Sequence, residues 1–152
     1  MSDLDILTLW RTLGRADDFL QTIPDARRGP SPLQGLGMFS SRPRAAGELV
    51  CVLDGQVVDS RKYPEIMHAL EWNALSERLL LVRPLRTSYG YVNHARSPNL
   101  VIEPDGRTMR VVRAIAADEE LTLDYLAPPV PPAYLDSEEG RRLRSLAAGP
   151  PA

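Results

Sequence analysis

The polar residues best placed for chemistry lie in two short blocks and one glycine pair. Asn93-His94 follows the β-prone Tyr91-Val92, and Pro98-Asn99 then turns the chain. Downstream, Glu119-Glu120-Leu121-Thr122-Leu123-Asp124-Tyr125 gathers three acids and a phenol. Upstream lies Gly35-Leu36-Gly37, and glycine is used where the chain turns tightly or where the backbone itself touches a ligand. The pair lacks the third glycine and the strand-to-helix setting of a dinucleotide fold. Amide, imidazole, phenol and carboxylate groups suit hydrogen bonding and alignment. Thiolate and metal chemistry have little to work with. Cys51 is the one cysteine and sits in an apolar run, so it reads as a buried thiol. His68 is spaced from no other metal-type ligand and reads as a helix-surface or half-buried residue.

The two blocks resemble those of the SET-domain family of S-adenosylmethionine-dependent protein-lysine methyltransferases, written N-H-S-C-x-P-N and E-E-L-T-x-D-Y. Here the first reads N-H-A-R-S-P-N, with Ala95 and Arg96 at the Ser and Cys positions, and the second matches at every fixed position. Gly35-Leu36-Gly37-Met38-Phe39 resembles the glycine-rich segment that opens the same domain. The likeness covers residues 27–126. It implies a mainly β SET fold, β-clip-like, with few short helices and a C-terminal pseudoknot in which the Tyr125 segment crosses a loop holding Asn93-His94. Threaded connections are rare, so this topology comes from the resemblance and not from strand propensities.

The same resemblance assigns roles. The Asn93 side chain and the His94 backbone would hold the amino-acid and adenine portions of S-adenosyl-L-methionine, with backbone contacts from Gly35, Leu36 and Gly37. Tyr125 would place its hydroxyl beside the transferring methyl and is the catalytic candidate. Leu53, Tyr89, Leu123 and Tyr125 would face the lysine substrate. Asp124 and Glu120 look like structural acids that bond the backbone of the crossing. Leu53 replaces a channel tyrosine, and Gln56 replaces an acid, in the family's E-Y-x-G-E block. Leu123 stands where relatives carry Phe or Tyr; the extra room predicts a site not restricted to monomethylation. Zinc-binding cysteine clusters flank many relatives and none occurs here. Tyr134, on a proline-rich strap, is the natural substitute cover for the adenine, with simple surface packing as the alternative.

The implied reaction is attack by a neutral lysine amine on a sulfonium methyl, with product S-adenosyl-L-homocysteine and no metal. A free lysine near pKa 10.4 is neutral in about one molecule in two thousand at neutral pH. A narrow apolar channel beside a positive sulfonium lowers that pKa by desolvation and like-charge repulsion. Alignment and weak C–H···O contacts to the methyl supply the rest. Two other readings stay open: a catalytically weak or inactive SET-like module that binds cofactor or protein, and a methyltransferase for a small amine.

Several elements must position these groups. Residues 2–20 have Ile6, Leu9, Trp10, Leu13, Ala16 and Leu20 at helical spacing, an amphipathic helix within an N-terminal unit 1–24. Its apolar stripe either packs on the domain or forms a homodimer contact, so the chain is expected to be a monomer or a homodimer. The SET unit is expected over 25–126, opening with loop or short edge strand at 24–34. Glu48–Val58 reads as two strands joined in a hairpin at Asp54-Gly55. Tyr63–Trp72 reads as a short helix starting near Pro64, and Glu77–Val82 as a buried strand. Residues 100–103 and 107–112 form a second hairpin around Pro104-Asp105-Gly106. Residues 127–152 form the last unit: an extended strap over Ala127–Tyr134, then a C-terminal helix capped near Asp136-Ser137, then a frayed end at 148–152.

Composition sets the outer limits. A chain of 152 residues fits one domain with one core. A net charge of −2 argues against a non-specific grip on nucleic acid, so the expected partner is a protein carrying the target lysine. No stretch is long and apolar enough to span a membrane. Asp3 and Asp5 replace the basic start of a secretory signal, which makes the cytoplasm the expected location. Positive charge is carried almost wholly by arginine, Lys62 being the only lysine.

Overall fold

The computed structural model describes residues 23–84 and 86–147. The expected N-terminal helix over 2–20 and the end at 148–152 lie outside the described residues. In chain order the elements are β1 (Ala26–Pro30), β2 (Leu36–Ser40), β3 (Leu49–Val52), β4 (Gln56–Asp59), α1 (Ile66–Ala69), β5 (Glu71–Ala74) and β6 (Leu79–Arg83). A 3-10 turn (Ser88–Tyr91) follows, then β7 (Asn93–His94), β8 (Leu100–Ile102), β9 (Thr108–Val111), β10 (Glu120–Leu123), α2 (Pro132–Leu135) and α3 (Glu138–Ala147). The chain is mainly β with short helices, as the motifs imply.

Among the described residues the strands form three small sheets, ordered β1-β2-β10-β7, β3-β9-β8 and β4-β6-β5. β10 is the junction. It runs antiparallel to β2, with Leu121 opposite Met38, and parallel to β7, with Thr122 opposite Asn93 and Leu123 opposite His94. That register brings the late block against the Asn-His block although β8 and β9 separate them in sequence. Asn99 fixes the crossing from the far side. It is 1% exposed, and its Oδ1 accepts from the Thr122 amide at 2.9 Å while its amide nitrogen donates to the Glu120 carbonyl at 2.8 Å. The side chain thus takes the place of a strand neighbour for β10.

Two apolar clusters support the sheets. Met38, Val50, Leu53, Val92, Leu100, Met109, Leu121 and Leu123 belong to the larger one, with Cys51, whose thiol burial pushes up to about 11. Val58, Ile66, Met67, Leu80 and Val82 form the other, and Val130 of the strap completes it. Each fully buried aliphatic side chain contributes about 1.5–3 kcal/mol, and Val130, with Tyr134 and Leu135 packed partly buried on the same cluster, ties the strap to it.

Four local expectations are corrected. The hairpin at Asp54-Gly55 does not exist: β3 pairs with β9 and β4 with β6, in different sheets. Gly55 has φ +152° and packs on the Val82 carbonyl, so it turns a corner between sheets instead of closing a ribbon. The helix over Tyr63–Trp72 shrinks to α1, and Trp72 lies in β5, paired opposite Val82. β6 starts at Leu79 and not Glu77, because the Ser76 hydroxyl accepts from the amides of Arg78 and Leu79 and holds a turn. Tyr134 lies in α2 and not on an extended strap. Other expectations hold. β1 is an edge strand, β8 and β9 pair around Gly106 (φ +72°), and Ser137 Oγ accepts from the Gly140 amide at the start of α3.

Candidate active site

Asn93 stands at the start of β7, beside β10. Its amide nitrogen donates to the carbonyls of Gln34 at 3.0 Å and Leu36 at 3.2 Å, and to Glu120 Oε1 at 3.0 Å. Ser31 Oγ donates to the same Glu120 oxygen at 2.7 Å. Gly35, Leu36, Gly37 and Asn93 therefore come together as the motifs imply. Gly35 has φ +49° and open space where a side chain would begin, and Leu36 is 46% exposed. Gly37 is different: a Cβ there would lie 3.0 Å from Glu120 Cδ and 3.1 Å from Ser31 Cβ. The carboxylate of Glu120 fills the place of a side chain at Gly37. Three acceptors face an amide that has two hydrogens. The cluster thus has acceptor capacity left for a cationic donor such as the ammonium of an amino acid, which fits the methionine end of the implied cofactor.

His94 follows with its side chain turned inward. Its Nδ1 accepts from the Tyr125 amide at 3.0 Å, and its buried Nε2 has no partner among the described residues. Desolvation lowers its pKa below the ordinary value, against the opposing pull of Asp124, whose Oδ1 lies 3.7 Å from Nδ1. The imidazole is thus neutral with its proton on Nε2. Asp124 Oδ1 accepts from the Leu126 amide at 2.9 Å, and Glu119 accepts from Asn99 and Arg113. The acids of the late block bond the crossing.

Tyr125 sits 5.3 Å from the His94 ring, centroid to centroid. Its hydroxyl donates to the Val92 carbonyl, and burial raises its pKa far above the ordinary phenol value. The phenol therefore stays protonated, with its hydrogen committed to Val92 and its oxygen lone pairs free to accept.

Leu123, Asp124, Tyr125 and Tyr89 open onto a cleft of about 1060 Å³. Its walls come from β5, the 3-10 turn, β8 and the strap, with Trp72, Leu100 and Ile102 among them. Tyr134 closes one end, edge-on to Trp72 with ring centroids 5.0 Å apart. Three of the four residues expected on the substrate side thus share one cavity. Leu53 does not: it is 3% exposed, inside the larger core cluster, and its amide bonds the Arg107 carbonyl. Tyr134, expected over the adenine, lines the cleft with Tyr89 and Tyr125, while Gly35, Gly37, Asn93 and His94 are absent from its lining. Glu71 and Arg83 were not singled out from sequence, and Asn99 entered only as the last residue of the first block and as part of a turn. An arginine closing an apolar run was the one available sign for Arg83.

The comparisons with known proteins follow this geometry. The SET domain family model matches residues 35–126. No curated protein matches the chain significantly. Among solved structures, a humanized mutant of the Chaetomium thermophilum Polycomb Repressive Complex 2 bound to an inhibitor aligns with TM-score 0.59 at 21% identity, over 72% of this chain and 16% of that one. The same complex in an autoinhibited conformation bound to S-adenosylmethionine aligns with TM-score 0.57 at 21% identity, over 66% of this chain and 15% of that one. The chain is therefore similar in fold to a small part of a much longer protein. With more than half its length matched by one family model, and the crossing of β10 against β7 in place, the chain belongs to the SET-domain family.

Proposed function

We propose that this chain is an S-adenosyl-L-methionine-dependent methyltransferase that acts on the side-chain amine of a lysine in a protein. One observation carries the reading: β10 joins the two halves, with Glu120 at its start in an acceptor-rich cluster around Asn93, and Leu123 at its end, followed by Tyr125, on a largely apolar cleft. When bound, S-adenosyl-L-methionine supplies a methyl on a positive sulfonium, which becomes the neutral thioether of S-adenosyl-L-homocysteine as the amine takes the methyl. Gly35, Leu36, Gly37, Asn93 and the His94 backbone would hold it. A structure of similar fold is bound to S-adenosylmethionine, which supports the choice of cofactor.

The remaining work falls to this chain's own residues. Leu70, Trp72, Leu100, Ile102 and Leu123 wall the cleft with hydrocarbon, which favours the neutral amine over the ammonium. Tyr125 cannot donate its hydrogen, so its oxygen accepts from the amine N–H or from the methyl C–H and fixes the line of attack. Such alignment is worth several kcal/mol of barrier, up to about 7–11 in ideal cases. Leu123 presents no hydroxyl to restrain a methylated amine, so more than one transfer is expected.

The test is a calorimetric titration with S-adenosyl-L-methionine, followed by transfer of labelled methyl into a lysate with Tyr125→Phe as control. Binding together with labelling that depends on Tyr125 supports the reading. Binding without such labelling refutes catalysis in favour of a binding module, and absence of binding removes the cofactor assignment.

A further inference from the structure

Beneath the cleft, where β5 meets β6, lies a buried polar network. Arg83, the last residue of β6, is 1% exposed. Its Nε pairs with Glu71 of β5, and its Nη1 donates to the Asp54 carbonyl and to Asn73 Oδ1, each at 3.0 Å. Its buried Nη2 has no hydrogen-bond partner among the described residues. The guanidinium carbon lies 4.7 Å from the centroid of the Tyr89 ring, so the π face carries part of the interaction that Nη2 lacks.

Glu71 reaches the other way. Its carboxylate accepts from the Thr87 amide at 2.8 Å and from the Thr87 hydroxyl at 2.7 Å. Thr87 caps the 3-10 turn that carries Tyr89 and Gly90. Gly90 packs directly on this carboxylate: a Cβ there would fall well inside contact distance of Glu71 Oε1 and 2.9 Å from Arg86 Cγ. The turn then continues through bonds from the Gly90 amide to the Thr87 carbonyl and from the Val92 amide to the Tyr89 carbonyl, each 3.0 Å. The Val92 carbonyl is the group that holds the Tyr125 hydroxyl. An unbroken chain of contacts thus runs from the buried ion pair to the phenol at the end of the cleft.

Stability alone gives little reason for such a pair, because replacing buried ions by apolar groups of similar size is often neutral or favourable. We propose that Arg83 and Glu71 form a positioning pair. It sets the Ser88–Tyr91 turn, and with it the Tyr89 ring and the Val92 carbonyl that orients Tyr125. Its catalytic consequence rests on the methyltransferase reading; its structural consequence does not.

The decisive variant is the apolar pair Glu71→Leu with Arg83→Met, which removes both charges together. Urea unfolding, calorimetric titration with S-adenosyl-L-methionine, amide hydrogen exchange and steady-state methyl transfer are measured on it. The expected result is a cooperative fold with unchanged cofactor affinity. Exchange at residues 87–92 rises about tenfold or more while the β3-β9-β8 sheet stays protected, and kcat falls by roughly 10- to 100-fold, more than KM rises. Glu71→Gln keeps the shape and an acceptor for Thr87, so it recovers most of the exchange protection and part of kcat. If the apolar pair weakens the fold, Thr87→Val, which keeps both charges and cuts the hydroxyl's bond to Glu71, decides by the same local exchange. Wild-type exchange at 87–92 in the folded apolar pair, or in Thr87→Val where the pair does not fold, overturns the proposal, and so does a rise spread evenly over the chain. A wild-type chain that binds cofactor but transfers no methyl removes the methyltransferase reading, while exchange still decides whether the pair positions the turn.

Discussion

Replacing Gly37 by alanine tests the coupling between the glycine segment and β10. Gly37 has an ordinary φ, so the added methyl costs no backbone strain; the whole effect is steric. The methyl would lie 3.0 Å from Glu120 Cδ and closer still to Oε1, and the carboxylate has to leave. Leaving breaks the bonds from Ser31 Oγ (2.7 Å) and Asn93 Nδ2 (3.0 Å). Hydrogen bonds to a charged group are worth about 1.5–3 kcal/mol each, and at this half-buried site the lower end applies, giving about 3 kcal/mol in total. On a typical urea slope of about 1–3 kcal/mol per molar, the unfolding midpoint drops by roughly 1–3 M with the slope unchanged. The second half of the test is Glu120→Ala, which vacates the space. In that background the carboxylate is gone and Ser31 Cβ, at 3.1 Å, is the next neighbour to accommodate, so Gly37→Ala costs less than about 1 kcal/mol, and the two substitutions are strongly non-additive. Equal cost in both backgrounds would refute the argument, because it would place the demand for glycine in the backbone or a ligand and not in the Glu120 carboxylate.

Tyr125→Phe removes the hydroxyl's bond to Val92; folding stability changes by about 1 kcal/mol and methyl transfer falls by roughly 100-fold with cofactor affinity retained, read by calorimetry beside a labelling assay. Tyr134→Ala opens the end of the cleft by deleting the edge contact with Trp72, worth about 0.5–1.5 kcal/mol. It should raise KM for a peptide substrate and leave the dissociation constant for S-adenosyl-L-methionine unchanged; a weakened cofactor would instead place Tyr134 over the adenine. His94 has its pKa lowered by desolvation in the folded state, so the unfolded chain binds the proton first as pH falls. The stability this confers is complete above about 6.5, the unfolded value, and is lost as pH drops below it. Denaturant midpoints from pH 7.5 to 5 should therefore fall more steeply for wild type than for His94→Asn.

The family blocks were legible because their residues act on one another at the crossing: Asn93 on Glu120, Asn99 on Thr122, His94 on Tyr125. Local turn signals fared unevenly. Asp105-Gly106 closes a real hairpin because the strands on either side pair with each other. Asp54-Gly55 carries the same chemistry, yet Leu53 is held by Arg107 and the Asp54 carbonyl by Arg83, so the flanking strands diverge to partners far away in sequence. Trp72 read as helical because Pro64 suits the start of a helix, but β6 offers its open edge and takes residues 71–74 as a strand. Leu53 matched a family position whose side chain, once leucine, belongs to the core. Nothing local distinguishes a strand end that faces a substrate from one that faces its own sheet.

β10 shows why the two halves of the site stand or fall together. Within four residues it spends Glu120 on Gly37 and Asn93, Leu121 on the core, Thr122 on Asn99, and Leu123 on the cleft. Tyr125 follows at once, its amide on His94 and its hydroxyl on Val92. A shift of one residue in its register would exchange every one of these partners and turn the core leucine toward the polar cluster. The Asn99 side chain, bonded to β10 on both sides of Leu121, forbids that shift more firmly than the short pairing with β7 can. Asn99→Ala should therefore impair cofactor binding and methyl transfer together although it touches neither site. Loss of one without the other would mean that the two halves are positioned independently of β10.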